Sequence, residues 1–226
     1  MSSNKMKTED FLPLSPELLL YSQRIGRACE DPHLQKLAKF AASHEHAKMN
    51  SALDQVAFIQ LLVRLMNVKT FVEVGVFLGY TTLAVAQALP PDGRVIGLEL
   101  MQEFTDLAEP FWKDAGVREK IDLRIGPALE SLKKIEGPVD LIYVDCDKPN
   151  YSNYVVEALR IVRAGGLVLV DNTLWSGKVI DKSNVEENTL AIRAVNELIA
   201  ALSPKDYKIV NLPIGDGLTM IHKLIQ

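Results

Sequence analysis

The sequence predicts an α/β fold in which helices cover both faces of a mostly parallel β-sheet. The first observation is an alternation, from residue 70 onward, of short apolar strand-like runs with helical stretches. The strand-like runs lie at 70–75, 94–99, 120–125, 139–145 and 165–171. The helical stretches lie near 80–89, 101–115, 128–134, 151–163 and 187–202. Such alternation is typical of βαβ units, whose parallel sheet is buried on both sides.

The end of the chain is the second observation. Two strand-like runs, 207–212 and 218–225, flank a short turn that contains glycine. A hairpin at the end of a parallel sheet predicts one antiparallel strand.

The first third of the chain is predicted to be helical and to precede the first strand. Ser15-Pro16 and Asp31-Pro32 each place a capping side chain before a proline at the first helical position, and the second helix is expected to run toward His46. A third helix is expected at 53–66, where apolar residues recur at helical spacing. We predict one domain, 1–226, with an N-terminal helical segment (1–66) and an α/β core (67–226).

Composition excludes several classes of protein. The net charge is −4 and no basic face is evident, so no nucleic-acid partner is expected. The apolar runs are far shorter than a membrane span, and Met1–Asp10 lacks the apolar centre of a signal peptide. Two cysteines in different segments, Cys29 and Cys146, suit a reducing compartment. A cytoplasmic protein without a membrane partner is therefore expected.

A glycine turn after the first strand is the organising motif. The sequence Glu73-Val-Gly75-Val-Phe-Leu-Gly79 joins that strand to a helix, and Glu99 ends the next strand. An acid at that position can accept hydrogen bonds from ribose hydroxyls. The turn lacks the second close glycine of a dinucleotide fingerprint, and Glu73 favours a cationic ligand. These features indicate S-adenosylmethionine rather than NAD.

Polar residues also follow the fourth and fifth strands. Asp145 follows the fourth strand, and Asp171 and Asn172 follow the fifth. Carboxyl ends of parallel strands share one edge of the sheet, so these oxygen ligands should converge, and they suit octahedral Mg²⁺ better than zinc. His44 and His46, two residues apart on a predicted helix, make a poor metal pair.

Each of these features also has an ordinary structural explanation. Asp and Asn after strands commonly cap helices or form turns, and taken singly that is the more common role. Glycines can serve close packing, a lysine can be a solvated surface charge, and Met49, Tyr151 and Trp175 can be packing residues. The functional interpretation depends on several features falling on one edge, in order along one chain.

Together these residues resemble the metal-dependent, S-adenosylmethionine-using O-methyltransferases of the caffeoyl-CoA and catechol type, in the bacterial-type branch. The resemblance runs from about residue 49 to the C-terminus. The matching motifs are Glu73-Val-Gly75-Val-Phe-Leu-Gly79-Tyr-Thr81, Gly126-Pro-Ala128-Leu, Asp145-Cys-Asp147-Lys148-Pro-Asn-Tyr151, Asp171-Asn172-Thr-Leu-Trp175 and Gly215-Asp-Gly217-Leu-Thr219. The resemblance implies a Rossmann-like class I methyltransferase fold with a seven-stranded sheet, and a homodimer.

The resemblance also implies a role for each matched residue. The divalent metal (Mg²⁺, with Mn²⁺ or Ca²⁺ as alternatives) would be held by Asp145, Asp171 and Asn172. S-adenosylmethionine would be bound by Ser51, Glu73, Gly75, Val76, Thr81, Glu99, Ala128, Asp145 and Asp147. The acceptor would be contacted by Met49, Lys148, Trp175 and Ser176. Lys148 and Asp145 would be catalytic, with Lys148 assisting deprotonation of the acceptor hydroxyl.

The expected reaction is methyl transfer to one hydroxyl of a metal-chelated vicinal diol, a catechol or caffeoyl-like small molecule. Glu99 replaces the more usual aspartate, and Ser176 and Ala57 replace an asparagine and a glutamine, which leaves the acceptor open. Three alternatives remain: a methyltransferase with a non-catechol acceptor, an S-adenosylmethionine-binding protein without catalysis, and a nicotinamide-dependent oxidoreductase.

Overall fold

The computed structural model describes residues 15–26 and 31–225, and its described part is built around one seven-stranded sheet. The strands are β1 (Thr70–Val74), β2 (Arg94–Glu99), β3 (Ile121–Ile125), β4 (Val139–Val144), β5 (Val162–Val170), β6 (Tyr207–Leu212) and β7 (Leu218–Lys223). Their order across the sheet is β3-β2-β1-β4-β5-β7-β6. Strands β1 to β5 pair in parallel, and β7 pairs antiparallel with both β5 and β6. The predicted parallel sheet with one antiparallel strand is confirmed.

Eight α-helices occur within the described ranges. They are α1 (Pro16–Ile25), α2 (Pro32–Ala42), α3 (Leu53–Leu65), α4 (Tyr80–Ala88), α5 (Gln102–Asp114), α6 (Ala128–Lys133), α7 (Tyr151–Ile161) and α8 (Glu187–Ala200). Ser15 caps α1 by accepting a hydrogen bond from the Leu18 amide, and the Asp31 carboxylate caps α2 through the amides of His33 and Leu34. Both predicted helix starts are confirmed.

Two element boundaries differ from the predictions. Helix α2 ends at Ala42 and does not reach His46, because the Ser43 hydroxyl bonds the Phe40 carbonyl and competes with the helical pattern. Strand β5 begins at Val162, whose extended backbone ends α7 and pairs with Val139. The predicted helix at 151–163 is therefore too long, and the predicted strand at 165–171 starts too late.

The sheet has an apolar core on each face. Side chains alternate along β4, so Leu141 and Tyr143 pack on the face covered by α3 and α4, while Ile142 and Val144 pack on the face covered by α7. Helix α3 contributes Val56, Ile59 and Val63 to the first core. The apolar stripe of α3 therefore packs within the core of this chain.

Two further expectations concern the cysteines and membrane-spanning helices. Cys29 lies outside the described residues, and within them Cys146 forms no disulfide. Among residues 15–26 and 31–225, no helix combines the length and apolar character needed to cross a membrane.

Candidate active site

A cavity of about 1220 Å³ opens at the carboxyl ends of the parallel strands. All the site residues predicted from the sequence line this one cavity: Met49, Ser51, Glu73, Gly75, Val76, Thr81, Glu99, Ala128, Asp145, Asp147, Lys148, Asp171, Asn172, Trp175 and Ser176. Ligands of open α/β sheets bind at this edge. The structure thus brings the predicted residues together around one cavity.

The glycine turn is held tightly against its neighbours. Gly75 has a φ of +94°, and a Cβ there would overlap the Asp145 carbonyl oxygen. Gly79 has a φ of +69°, and a Cβ there would overlap the indole ring of Trp112, whose Nε1 donates to the Gly79 carbonyl at 3.1 Å. Close packing and left-handed backbone therefore both require glycine here.

Glu73 faces this cavity from β1 with a nearly fully buried carboxyl group. Thr82 Oγ1 donates a hydrogen bond to its Oε2. Burial raises the pKa of Glu73 well above its ordinary value, and the nearby Asp145 and Glu99 carboxylates add to the rise. A cationic ligand in the cavity would oppose these effects and favour the ionised form.

Glu99 is tied to the backbone on both of its oxygens. Oε2 accepts hydrogen bonds from the amides of Val76 (3.0 Å) and Phe77 (2.8 Å), and Oε1 accepts from Leu100 (2.8 Å) and Met101 (3.0 Å). A carboxylate offers about four acceptor positions. In this structure Glu99 therefore fastens the glycine turn to the end of β2, a role that the ribose expectation did not include.

The remaining predicted cofactor residues lie around the same cavity. Thr81, in the first turn of α4, donates to Ser51 Oγ at 3.4 Å. The Asp147 carboxylate accepts from the Tyr154 hydroxyl and from Asn150 Nδ2. Ala128 is the buried first residue of α6. Asp147 is thus already held by the chain's own side chains.

The predicted metal ligands converge at the ends of β4 and β5. Burial and the neighbouring Asp145 carboxylate raise the pKa of Asp171 from 3.8 to about 7. Two carboxylates that repel each other beside an amide oxygen from Asn172 form a donor set that suits a hard divalent cation. Clusters of three or more His, Cys, Asp and Glu side chains with metal-binding geometry do not occur among the described residues. The fit to a cation therefore depends on the amide of Asn172.

Lys148 lies between Asp145, one of the predicted metal ligands, and the aromatic ring of Trp175. Its Nζ donates to Asp145 Oδ1 (3.1 Å), to the Cys146 carbonyl (3.0 Å) and to the Tyr151 hydroxyl (2.6 Å). The same ammonium lies 5.8 Å from the centre of the Trp175 ring. Lys148 is therefore a positioned charge of the cavity and is not a freely solvated one.

The loop after β5 forms the predicted acceptor wall. Asn172, Trp175 and Ser176 have positive φ values of 56°, 47° and 50°. The Asp216 carboxylate accepts from the Ser176 amide at 2.6 Å and holds the loop to the terminal hairpin. Trp175 Nε1 is buried and has no hydrogen-bond partner among the described residues. Non-glycine residues in this conformation are strained and cluster at functional sites.

Comparison with known proteins gives the family. The model of the O-methyltransferase family matches residues 25–224. The chain belongs to this O-methyltransferase family. Caffeoyl-CoA O-methyltransferase 1 of Eucalyptus globulus is 35% identical over 206 residues, which cover 86% of this chain and 83% of that protein.

Solved structures of the family have the same fold. The O-methyltransferase from Bacillus cereus, in complex with S-adenosylhomocysteine (SAH), has a TM-score of 0.81 and 30% identity over 90% of this chain and 96% of its own. The O-methyltransferase TomG from Streptomyces achromogenes, involved in tomaymycin synthesis and solved with S-adenosylmethionine (SAM), has a TM-score of 0.80 and 28% identity over 91% and 95%. The predicted methyltransferase fold is confirmed.

Two buried polar residues beside the cavity were not identified from the sequence. Tyr143 and Gln55 are each 1% exposed and hydrogen-bonded to each other beside the cavity. Their signal was present, because Tyr143 lies two residues before Asp145 and shares its side of the strand, and Gln55 interrupts the buried stripe of α3.

A cluster of aromatic side chains at the cavity was also not identified from the sequence. His44 and His46 follow α2, and their ring centroids are 5.6 Å apart. His44 also packs against Phe77 and Phe104, which line the cavity. The expectation that the two histidines lie on a helix was wrong, since α2 ends before them.

Proposed function

We propose that this chain transfers a methyl group from SAM to one hydroxyl of a vicinal diol on an aromatic ring, with a divalent cation held by Asp145, Asp171 and Asn172. One observation carries the proposal: two carboxylates, an amide oxygen and the Lys148 ammonium meet at one edge of the cavity onto which the glycine turn opens. The proposal assigns binding of the acceptor to this edge of the cavity and binding of SAM to the glycine turn.

The cofactor part is supported from two sides. TomG was solved with SAM, and the Bacillus cereus O-methyltransferase was solved with SAH. In this chain the nearly fully buried Glu73 carboxyl group faces the cavity, and a cationic ligand there would favour its ionised form. SAM carries a sulfonium and an ammonium group, whereas NAD would bring a pyrophosphate toward that carboxylate.

The metal part is supported by the donor chemistry. Oxygen ligands suit Mg²⁺, and they also accommodate Mn²⁺ or Ca²⁺. When bound, such a cation lowers the pKa of a hydroxyl that coordinates it. A phenol has an ordinary pKa near 10, so this activation matters at neutral pH.

The chain's own residues would then position and deprotonate the acceptor. Lys148, oriented by Asp145 and Tyr151, would receive the hydroxyl proton at Nζ after releasing one of its own protons to solvent. The acceptor oxygen attacks the methyl carbon in line with the sulfur, the carbon–sulfur bond breaks, and SAH leaves. Trp175 and Ser176 would contact the aromatic ring from the loop after β5, and Met49 would contact it from the segment before α3.

The test is methyl transfer from SAM to a panel of catechols and caffeoyl derivatives, with Mg²⁺ and then with EDTA. We expect turnover that EDTA abolishes, that Asp145→Asn lacks and that Asp92→Asn keeps, since Asp92 is an exposed residue before β2. Turnover that is indifferent to EDTA would remove the metal from the proposal. SAM binding without turnover on any diol would favour another acceptor or a binding protein.

A homodimer remains a further proposal. Helix α1 exposes Leu20, Tyr21 and Ile25, and α3 exposes Leu65, and these apolar side chains could be covered by a second copy. Sedimentation at micromolar concentration would give a mass near 50 kDa for a dimer, twice the 25.1 kDa of one chain. A mass of one chain would reject it.

A further inference from the structure

Tyr143 makes a direct contact with one of the proposed metal ligands. It lies on β4, where its neighbours in the register are Glu73 and Leu169. Its hydroxyl donates a hydrogen bond of 2.6 Å to Asp171 Oδ2, and both side chains are almost completely buried. Because a phenol has one proton, a Tyr143 hydroxyl that donates to Asp171 can donate to no other partner.

The same hydroxyl is held from the other side. It accepts a hydrogen bond from Gln55 Nε2 at 2.9 Å and lies 3.1 Å from Ser51 Oγ. Gln55 Oε1 lies close against Gly215, where a Cβ would overlap it. On this side the hydroxyl is therefore held by helix α3 and by the segment before it.

The contacts continue into the proposed cofactor subsite. Thr81 Oγ1 lies 3.4 Å from Ser51 Oγ, and both residues line the cavity. A hydrogen-bonded series thus joins Thr81, Ser51, Tyr143 and Asp171. Hydrogen bonds in such a buried series polarise one another, so a change at one end is felt at the other.

We propose that Tyr143 is a positioning residue that couples occupation of the cofactor subsite to the metal ligand Asp171. This inference rests on the proposed function. Either hydroxyl can be the donor between Ser51 and Tyr143. The ammonium group of SAM or SAH can only donate, so a ligand that donates to Ser51 favours the arrangement in which Ser51 donates to Tyr143. Tyr143 then keeps its hydrogen bond to Asp171 Oδ2, while Oδ1 accepts from the Asn172 amide.

The coupling has a defined thermodynamic signature. Each ligand should strengthen binding of the other by the same factor, because linkage is reciprocal. Hydrogen-bond partners of metal ligands commonly change metal affinity by about tenfold or more. We therefore expect SAH to tighten Mn²⁺ binding about fivefold, and Tyr143→Phe to weaken Mn²⁺ binding about tenfold without SAH and to abolish the SAH effect.

The experiment measures free Mn²⁺ by electron paramagnetic resonance during titration of the full chain, with and without saturating SAH. Tyr207→Phe is the matched control, since it removes a hydroxyl from the edge strand β6 and should keep the fivefold effect. Ser51→Ala is the second variant, and it should show no SAH effect on Mn²⁺ binding at an SAH concentration that saturates this variant. This variant decides the question if Tyr143→Phe does not fold.

The possible failures are distinguishable. Mn²⁺ that does not bind the unmodified chain under either condition overturns the metal part of the proposed function and this inference with it. Only the coupling is overturned if Mn²⁺ binds but the SAH effect is absent in the unmodified chain. The same holds if the effect persists in Tyr143→Phe or, where that variant does not fold, in Ser51→Ala.

Discussion

Oε2 of Glu99 lies 2.8 Å from the backbone nitrogen of Phe77 and accepts its hydrogen bond. The carboxylate thereby holds the glycine turn against the end of β2, and the amides of Leu100 and Met101 hold its other oxygen. The residue at the end of the second strand is thus a structural clamp of the cavity wall, whatever ligand the cavity takes.

We expect Glu99→Gln to loosen this turn. An amide has one acceptor oxygen, so its NH₂ group would face two backbone N–H donors. Hydrogen bonds to charged groups contribute about 1.5–3 kcal/mol, and we expect a loss of that size in the free energy of unfolding, with weaker SAH binding. Urea unfolding and calorimetric titration measure both, with the exposed Glu119→Gln as control. Unchanged stability would show that the clamp is dispensable.

The pH dependence of stability should reveal Asp171. Its pKa is raised to about 7 in the folded chain, so between about pH 4 and pH 7 the folded state holds a proton that the unfolded state has lost. The contribution of Asp171 to stability is therefore present at the low end of this window and is lost as the pH rises. The slope is at most about 1.4 kcal/mol per pH unit.

The measurement is urea unfolding of EDTA-treated protein at several pH values. Asp171→Asn should flatten the decline between pH 5 and pH 7, and Asp92→Asn should not. An unchanged slope in Asp171→Asn would mean that Asp171 titrates normally.

Gly75→Ala should be more damaging than an ordinary glycine substitution. Its Cβ would overlap the Asp145 carbonyl and force the ends of β1 and β4 apart, a clash that costs about 1–3 kcal/mol in well-packed regions. The matched control is Gly116→Ala, which has a φ of +68° and open space around its Cβ position. Thermal unfolding of both variants separates the clash from the backbone strain, and equal losses would contradict the steric explanation.

Lys148→Met should slow methyl transfer with little effect on SAH binding. Proton transfer by a positioned side chain contributes about 10²–10⁴ in rate, so a fall in kcat of at least about 100-fold is expected. Lys178→Met, which removes an exposed lysine paired with Glu186, serves as control. A Lys148→Met variant with normal kcat would assign the proton to another acceptor.

The fold was predictable because its signals are local and periodic. Alternating strand-like and helical runs located every strand of the sheet, and the caps at Ser15 and Asp31 located two helix starts. The boundary at Val162 was missed because a β-branched residue at a helix end gives no periodic signal, and its pairing with Val139 is a long-range contact.

The site was predictable as a set of residues and less so as a network. Parallel strands share one carboxyl edge, which explains why Asp145, Asp171 and Lys148 line one cavity. Glu99 shows the limit, because sequence spacing identified an acid at the cavity but could not show that four backbone amides occupy it. Tyr143 was missed because a tyrosine in a strand is usually a packing residue, and its partners lie far away in sequence.

The terminal hairpin has a consequence for synthesis of the protein. Gly217 and Asp216 accept hydrogen bonds from the amides of Thr173 and Leu174, and β7 lies between β5 and β6. The loop that carries Trp175 and Ser176 is thus braced by a hairpin that is synthesised after β1 to β5. A nascent chain can form β1 to β4 early, yet the loop proposed to contact the acceptor stays without its brace until Asp216 and Gly217 have been added.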